Sequence, residues 1–580
     1  MCAKLNTKDT CSMPAISLLW PHSTPPGTPP RLSLRTADDL GLDRLVTALT
    51  FHHEYRVRIR EILLGLCADP GVIRYRQDIL DDLLSHPSLA EHLNDALPKI
   101  AALDSFAYFA RPGQSPLHEV VWRVGELEAY VEVVQTLQAL FDHHDAVVQA
   151  EGLRHLRDMV AGIAQTETFQ HLARELPEMI ANVRSIASVT IGVNLDDQLR
   201  PVEATLLAIN KRRFQGFSPS LLSTLFGRSA DENDWEGLAQ LHSARSKSTP
   251  SITLSGRGVD VENPMLYPLF RDLAQVLKQT SRPVASALAR YTRVNAQVLD
   301  GLGAELAFYL GAARLITTLR ASGLPVCRPT IADREERACA VSGAYNITLA
   351  LRLLDTTNDR TPDLRRAVIT SDLIFGPEGR IFVLTGPNQG GKTTYTQAAG
   401  LVHVLAQAGL FVPGTSARIS PVDGIFTHFP VEERPDMESG RLGEEAQRLS
   451  EIFAAATRYS LVLLNESLSS TSPGEGLYLA RDVVRVLRQL GARAIYATHM
   501  HDLAADCDML NADTPGDSDV ISLVSLVADN GANDVKQTFR IVPGPPRGRS
   551  YAREIASRYG ISYEQLIDLL RERGMVTDEP

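Results

Sequence analysis

The sequence predicts a multidomain α and α/β chain, helical over its first part and α/β over its last third. Three observations predict this. Before residue 350, long stretches repeat apolar residues at three and four positions. The last third alternates β-branched strand-like runs with helical ones, in the manner of a parallel sheet. Between one such strand and helix stands a glycine-rich loop, residues 385–394. With 580 residues, 44% of them hydrophobic, the chain can bury three or four separate cores.

Taken in order, residues 1–36 open the chain with Pro14, Pro21, Pro25, Pro26, Pro29 and Pro30, too many for regular structure, and read as a disordered tail. From Ala37 the pattern is helical. Residues 119–141 are the clearest case, with Val120, Val124, Leu127, Val131, Val134 and Phe141 at helical spacing, which predicts an amphipathic helix about 35 Å long. The β-branched run 188–193 breaks the helices, residues 243–258 read as an exposed Ser/Thr/Gly loop, and helices resume near Tyr267. No repeat of 20 to 50 residues interrupts this order.

Composition excludes several classes. A net charge of -11 argues against a wholly basic nucleic-acid coat, although a local basic patch is compatible with it. Cys2, Cys11, Cys67, Cys327, Cys339 and Cys507 contain no C-x-x-C pair, so neither a disulfide framework nor a zinc site is indicated. The amino terminus lacks a basic region followed by an apolar core, and no run approaches the eighteen apolar residues of a membrane span. A soluble, cytoplasmic protein is the expectation.

The loop Thr385-Gly386-Pro387-Asn388-Gln389-Gly390-Gly391-Lys392-Thr393-Thr394 follows the apolar strand 381–384 and precedes a helix expected over 394–410. Its G-x-x-x-x-G-K-T spacing lets backbone N–H groups face a phosphate chain that a Cβ would keep at a distance. ATP is therefore the expected ligand, with Lys392 on the β and γ phosphates and Thr393 on Mg²⁺. The helix start adds the positive end of its dipole.

A second strand, 461–464, ends in Asn465-Glu466. Glu466 at the strand tip is the candidate general base for the water that attacks the γ-phosphate, and Asn465 stands where a metal-holding residue is expected. An amide in place of a carboxylate costs the metal about 1 kcal/mol of retention and predicts slow turnover. A third strand, 493–498, delivers His499 to its end as a candidate γ-phosphate contact. Phosphate loop, Glu466, Ser469-Ser470-Thr471-Ser472 and His499 occur in the order of the ABC-type ATPase superfamily.

These residues resemble the MutS family of mismatch-repair ATPases, and Pro387-Asn388 within the phosphate loop is the telling pair. Further matches are residues 407–413, 421–427, 497–499, the Thr-Ser after Glu466, the entry segment 73–77, the return 324–329, and Pro543-Gly544 with Ser550-Tyr551-Ala552. The resemblance implies a helical core, lever and clamp region over 37–350, an ABC-type P-loop ATPase domain over 351–545, and a helical segment over 546–580 that can serve dimerisation. It also implies a homodimer in which Ser439, Gly440, Ser470, Thr471 and Ser472 reach the partner's nucleotide, with ATP and Mg²⁺ as cofactors and DNA as partner.

There are departures from the family pattern. The chain enters the core near residue 40, no Phe-x-Glu wedge occurs, Val368 stands where an aromatic packs on adenine, and residues 439–444 match only in part. Lys211, Arg212 and Arg213 are the candidate DNA-phosphate contacts, with Arg245, Lys247, Arg282, Arg290 and Arg293 as further basic groups. Three functions follow from the resemblance: an ATP-gated clamp or sensor on mismatched or branched DNA, a similar clamp on ribosomes or structured RNA, and a nucleotide-gated scaffold with negligible hydrolysis.

Overall fold

The computed structural model describes residues 17–24, 27–109, 116–184, 188–198, 201–212, 215–216, 236–237, 287–288, 291, 299, 301–356, 362–430, 441–529, 535–546, 560–573 and 575. The chain divides into two compact units, one of residues 1–15, 98–139 and 158–300, the other of residues 16–97, 140–157 and 301–580.

Helices dominate the first part: α1 (Leu34–Asp39), α2 (Leu42–Leu49), α3 (Arg56–Leu64), α4 (Pro70–Ser85), α5 (Pro87–Phe109), α6 (Pro116–His144), α7 (Glu151–Gln165) and α8 (Glu167–Arg184). Local chemistry starts them. Ser33 caps α1 through the Thr36 amide, and Asp69 caps α4 by accepting from the amides of Gly71 and Val72, with Pro70 in the first turn where its missing N–H costs nothing.

In the first unit, α6 is longer than the periodic stretch that predicted it, and its apolar residues do not form a single stripe. Val124, Leu127, Ala129, Tyr130, Val131, Val133, Val134 and Leu137 are all buried, because neighbours cover it on several sides; Phe106 meets Trp122 edge-on and Tyr130 meets Phe169. The β-branched run forms β1 (Ser188–Leu195), an antiparallel hairpin with β2 (Pro201–Asn210) that leaves Val193, Val202 and Leu207 exposed. The loop expected over 243–258 and the helices expected from Tyr267 lie outside the described residues, apart from isolated positions of the latter.

In the second unit, α9 (Leu302–Ala321) is the core helix. Among the described residues it alone has the length and hydropathy of a membrane span, and 83% of that window is buried inside the protein. Gly311 lets α2 pass against it, since a Cβ there would stand 1.6 Å from the Leu49 carbonyl oxygen. The proline-rich opening is not loose throughout. Leu18 and Leu19 are buried, and the backbone of residues 17–19 is held by side chains: Glu305 accepts from the Leu18 amide (2.5 Å) and Ser17 hydroxyl (3.2 Å), while Tyr75, Tyr309 and Arg76 donate to the carbonyls of Ser17, Leu18 and Leu19. Arg76 also lies over the Trp20 ring. Apolar Leu18-Leu19-Trp20 between the prolines supplies the burial that orders this segment.

The α/β part of this unit holds β3 (Cys339–Ala344), α10 (Ile347–Thr356), β4 (Ser371–Phe375), β5 (Ile381–Thr385), α11 (Lys392–Gln407), β6 (Ser416–Ile419), β7 (Ile425–His428), α12 (Arg441–Ala455), β8 (Leu461–Asn465), α13 (Pro473–Leu490), β9 (Arg493–Ala497), β10 (Val520–Asp529) and β11 (Val535–Pro543). A helix α14 (Tyr563–Glu572) follows. One sheet has the order β7-β8-β9-β5-β10-β11, parallel except for the antiparallel last pair. A smaller one joins Thr330–Ile331, β6, β3 and β4. The parallel strands are continuous apolar runs because both faces are covered, with Val462, Leu464, Ala494 and Tyr496 packed against Ala480, Val484 and Leu503.

Candidate active site

The tips of three parallel strands, β8, β9 and β5, lie side by side, and the residues that follow them converge. The expected helix begins at Lys392, two residues earlier than its pattern suggests, because Gly391 (φ 87°) turns the chain in the left-handed region directly before it. Gly386 is required by proximity: a Cβ on it would sit 2.7 Å from the Cβ of Ser525.

Lys392 is buried, and its ammonium donates to the carbonyls of Gly386 (3.1 Å) and Pro387 (3.3 Å). It lies 3.6 Å from Glu466 Oε1 and 3.3 Å from His499 Nε2. Glu466 Oε1 is in turn 3.1 Å from His499 Nε2. Burial lowers the pKa of Lys392 and raises that of Glu466, while each charge partly offsets the other's shift. Burial, then Lys392, pulls His499 down to about 4, so the imidazole is neutral at pH 7 and can donate one hydrogen bond without carrying charge. Thr393 Oγ1 donates to Asn465 Oδ1 at 3.2 Å. The site therefore places a hydroxyl and an amide oxygen side by side, hard oxygen donors of the kind Mg²⁺ accepts, next to an ammonium and a carboxylate.

The remaining candidates are distributed differently. Gly386, Pro387, Asn388, Gln389, Gly390, Gly391, Lys392, Thr393 and Thr394 form the loop and first turn, with Gln389 in the left-handed region (φ 61°). Thr471 and Ser472 both donate to Glu475 at 2.8 Å around the start of α13, and Ser470 Oγ is buried with no hydrogen-bond partner among the described residues. Ser439, Gly440 and Arg213 lie outside the described residues. Lys211 and Arg212 are exposed at the end of β2. Val368 is buried and offers no ring face or exposed surface to a base.

Three residues at the site have no signal in the local sequence. Ser525 on β10 donates to the Gly390 carbonyl (2.7 Å), Gln537 on β11 donates to the Asn388 carbonyl (2.9 Å), and Phe539 packs beside Gly391. They reach the loop because β10 pairs with β5. A cleft of about 760 Å³ between β4 and β11, lined by Asp372, Phe382, Tyr395 and Arg540, contains none of residues 386–394 and is separate from the phosphate cradle.

Comparison with known proteins finds the following similarities. The family model for the MutS2 N-terminal domain matches residues 68–322, and that for MutS domain V matches residues 382–567. The DNA mismatch repair protein MutS of Methanothrix thermoacetophila is 24% identical over 538 residues, which is 87% of this chain and 57% of that protein. The DNA mismatch repair protein MutS 2 of Halobacterium salinarum is 35% identical over 207 residues, covering 35% of this chain and 23% of the relative. The Endonuclease MutS2 of Thermomicrobium roseum is 34% identical over 209 residues, covering 36% and 25%. The chain thus matches from about a quarter to rather more than half of the length of these relatives.

Proposed function

Since this chain belongs to the MutS family of mismatch-repair-like proteins, we propose that it is a DNA-repair ATPase that uses ATP and Mg²⁺ to switch a clamp or sensor on mismatched or branched DNA. The observation that carries the reading is the convergence of Lys392, Thr393, Asn465, Glu466 and His499 at neighbouring strand ends. Magnesium and a triphosphate, when bound, supply the electrophile and the charge neutralisation for phosphoryl transfer.

The chain's own residues do the rest. Amides between Gly386 and Thr394 cradle the phosphates, and Lys392 exchanges the Gly386 and Pro387 carbonyls for phosphate oxygens. Thr393 and Asn465 are the residues that would hold the metal. Glu466 takes the proton of the attacking water, a role that its raised pKa suits. Neutral His499 reads whether a γ-phosphate is present.

The same proposal includes an ABC-type arrangement of the nucleotide domain, the division at residues 36, 350 and 545, and a cytoplasmic homodimer in which Ser439, Gly440 and Ser470-Thr471-Ser472 meet the partner's nucleotide. DNA would be held mainly through backbone and shape, with Lys211, Arg212 and Arg213 on phosphates. Slow hydrolysis at Asn465 suits a state held closed better than rapid cycling.

Glu466→Gln should leave nucleotide binding intact and cut single-turnover hydrolysis about 100-fold or more. Wild-type hydrolysis in that variant would remove Glu466 as the base. Gel shifts with homoduplex, mismatched duplex and four-way junction, with and without ATP, test the substrate. Co-sedimentation with ribosomes in place of DNA binding would overturn the DNA reading. Reversal of Lys211, Arg212 and Arg213 to Glu should weaken binding at low salt.

A further inference from the structure

Behind the candidate base lies a buried pair that the proposed mechanism does not use. Ser467, the residue after Glu466, is fully buried, and its hydroxyl is hydrogen-bonded to Nδ1 of His428 at 2.7 Å; His428 is 4% exposed at the end of β7. The Ser467 carbonyl accepts from the Tyr496 hydroxyl at 2.8 Å, from inside β9. The residues on either side of Ser467 are both non-glycine residues in the left-handed region, Glu466 at φ 52° and Leu468 at φ 63°. Such backbone is disfavoured for side chains with a Cβ and persists only where surrounding contacts over-determine it. Ser467 is where that over-determination is applied, once through its hydroxyl and once through its carbonyl, while the Glu466 amide donates to the Ala497 carbonyl at 2.8 Å.

His428 is itself held in place. Arg448 on α12 donates to the carbonyls of Thr427 (2.8 Å) and Phe429 (3.1 Å), on either side of it, and to Asp39 (2.7 Å), which also accepts from Thr427 Oγ1. The strand end that carries the imidazole is thereby fixed against α12 and α1, both within the second unit.

We propose that His428 and Ser467, with Tyr496, are positioning residues for Glu466: they hold its strained turn so that the carboxylate faces the γ-phosphate side of the cradle. The inference rests on Glu466 being the general base. Replacing Ser467 by Ala removes the hydroxyl alone, and replacing Tyr496 by Phe removes the other anchor, each with almost no change of volume. The carboxylate then wanders over other rotamers and backbone states, and displacement of about 1 Å is sufficient to cost about 100-fold in rate.

The test uses the full chain. Single-turnover ATP hydrolysis and affinity for a fluorescent ATP analogue are measured for wild type, Ser467→Ala, Tyr496→Phe, His428→Gln, Ser467→Ala with His428→Gln, and Glu466→Gln. The expected result is a hydrolysis rate about 10- to 100-fold lower in Ser467→Ala and Tyr496→Phe with analogue affinity within about twofold of wild type, and a double variant no slower than its slower parent. If Glu466→Gln stops hydrolysis while Ser467→Ala and Tyr496→Phe run at the wild-type rate, the positioning role is overturned and the base assignment stands. Loss of analogue binding in Ser467→Ala would make the pair a support of the whole fold and overturn the role as well. Undiminished hydrolysis in Glu466→Gln would overturn both together.

Discussion

Asn465 ends β8 with an amide where a carboxylate would give a magnesium ion a charged neighbour, and Thr393 Oγ1 already donates to it. Replacing one oxygen acceptor by an isosteric, charged one changes electrostatics with little change of shape. Asn465→Asp should lower the Mg²⁺ concentration for half-maximal ATP turnover about 5- to 10-fold, equivalent to about 1–1.4 kcal/mol. A magnesium titration showing the same midpoint in both proteins would count against a metal role for this position. At this scale the cradle residues were legible in the sequence because local spacing identifies them: glycines, Lys392 and Thr393 sit within one loop, and Glu466 and His499 each follow an apolar run. Ser525, Gln537 and His428 were not, because they reach the site from other strands; Ser525 is 135 residues from its partner Gly390. Arg493 illustrates the same limit. It is a charged residue opening an apolar strand, and it is fully buried, its guanidinium donating to the carbonyls of Ala338, Ser420, Pro421 and Tyr459, partners that no local pattern reveals.

Elements were legible where one period dominated. β5, β8 and β9 match their apolar runs because both faces are covered, and the β1 strand was marked by its β-branched residues. α6 was found but its apolar face was read too narrowly, since a stripe in sequence does not reveal how many neighbours a helix will have. Close approach of elements is equally hidden, and two glycines make the contrast measurable. On α9, Gly311→Ala drives a methyl into the Leu49 carbonyl at 1.6 Å, so α2 and α9 must part; the expected loss is about 3 kcal/mol or more, read as a lower unfolding midpoint. On α7, Gly162 has open space around its Cβ position and is exposed, so Gly162→Ala should stabilise by about 0.5–1 kcal/mol through helix propensity. Equal effects of the two substitutions in denaturant unfolding would refute the packing argument.

For the molecule as a whole, buried histidines set an acid limit. His403 is pushed down to about 3 and His428 to about 4, in both cases first by burial and then by a guanidinium, that of Arg493 or Arg448. Their ordinary value is 6.5, so the unfolded chain takes up protons below that pH while the folded one does not. Their depressed pKa values therefore cost no stability above pH 6.5, and stability falls as the pH drops toward 4, each group contributing about 1.4 kcal/mol per pH unit. The window to measure is pH 6.5 to 5, in which the wild type and the variant share every other titrating group. There the unfolding free energy of His403→Gln should fall less steeply with decreasing pH than that of the wild type; identical slopes would show that His403 is already protonated when folded. The general order of the fold, helical and then α/β, followed from composition and period, but its division into two units of interleaved segments did not, because pairing between residues 16–97 and the last 280 residues leaves no trace in local sequence.

The opening segment has a consequence of its own. Residues 17–19 are gripped by Glu305, Tyr75, Tyr309 and Arg76 much as a receptor grips an extended peptide, so the protein carries its own ligand in cis. Clipping the chain after Trp20 would create a vacant receptor lined by the Glu305 carboxyl, and any free peptide able to present one amide and three carbonyls at that spacing would become a competitor for it.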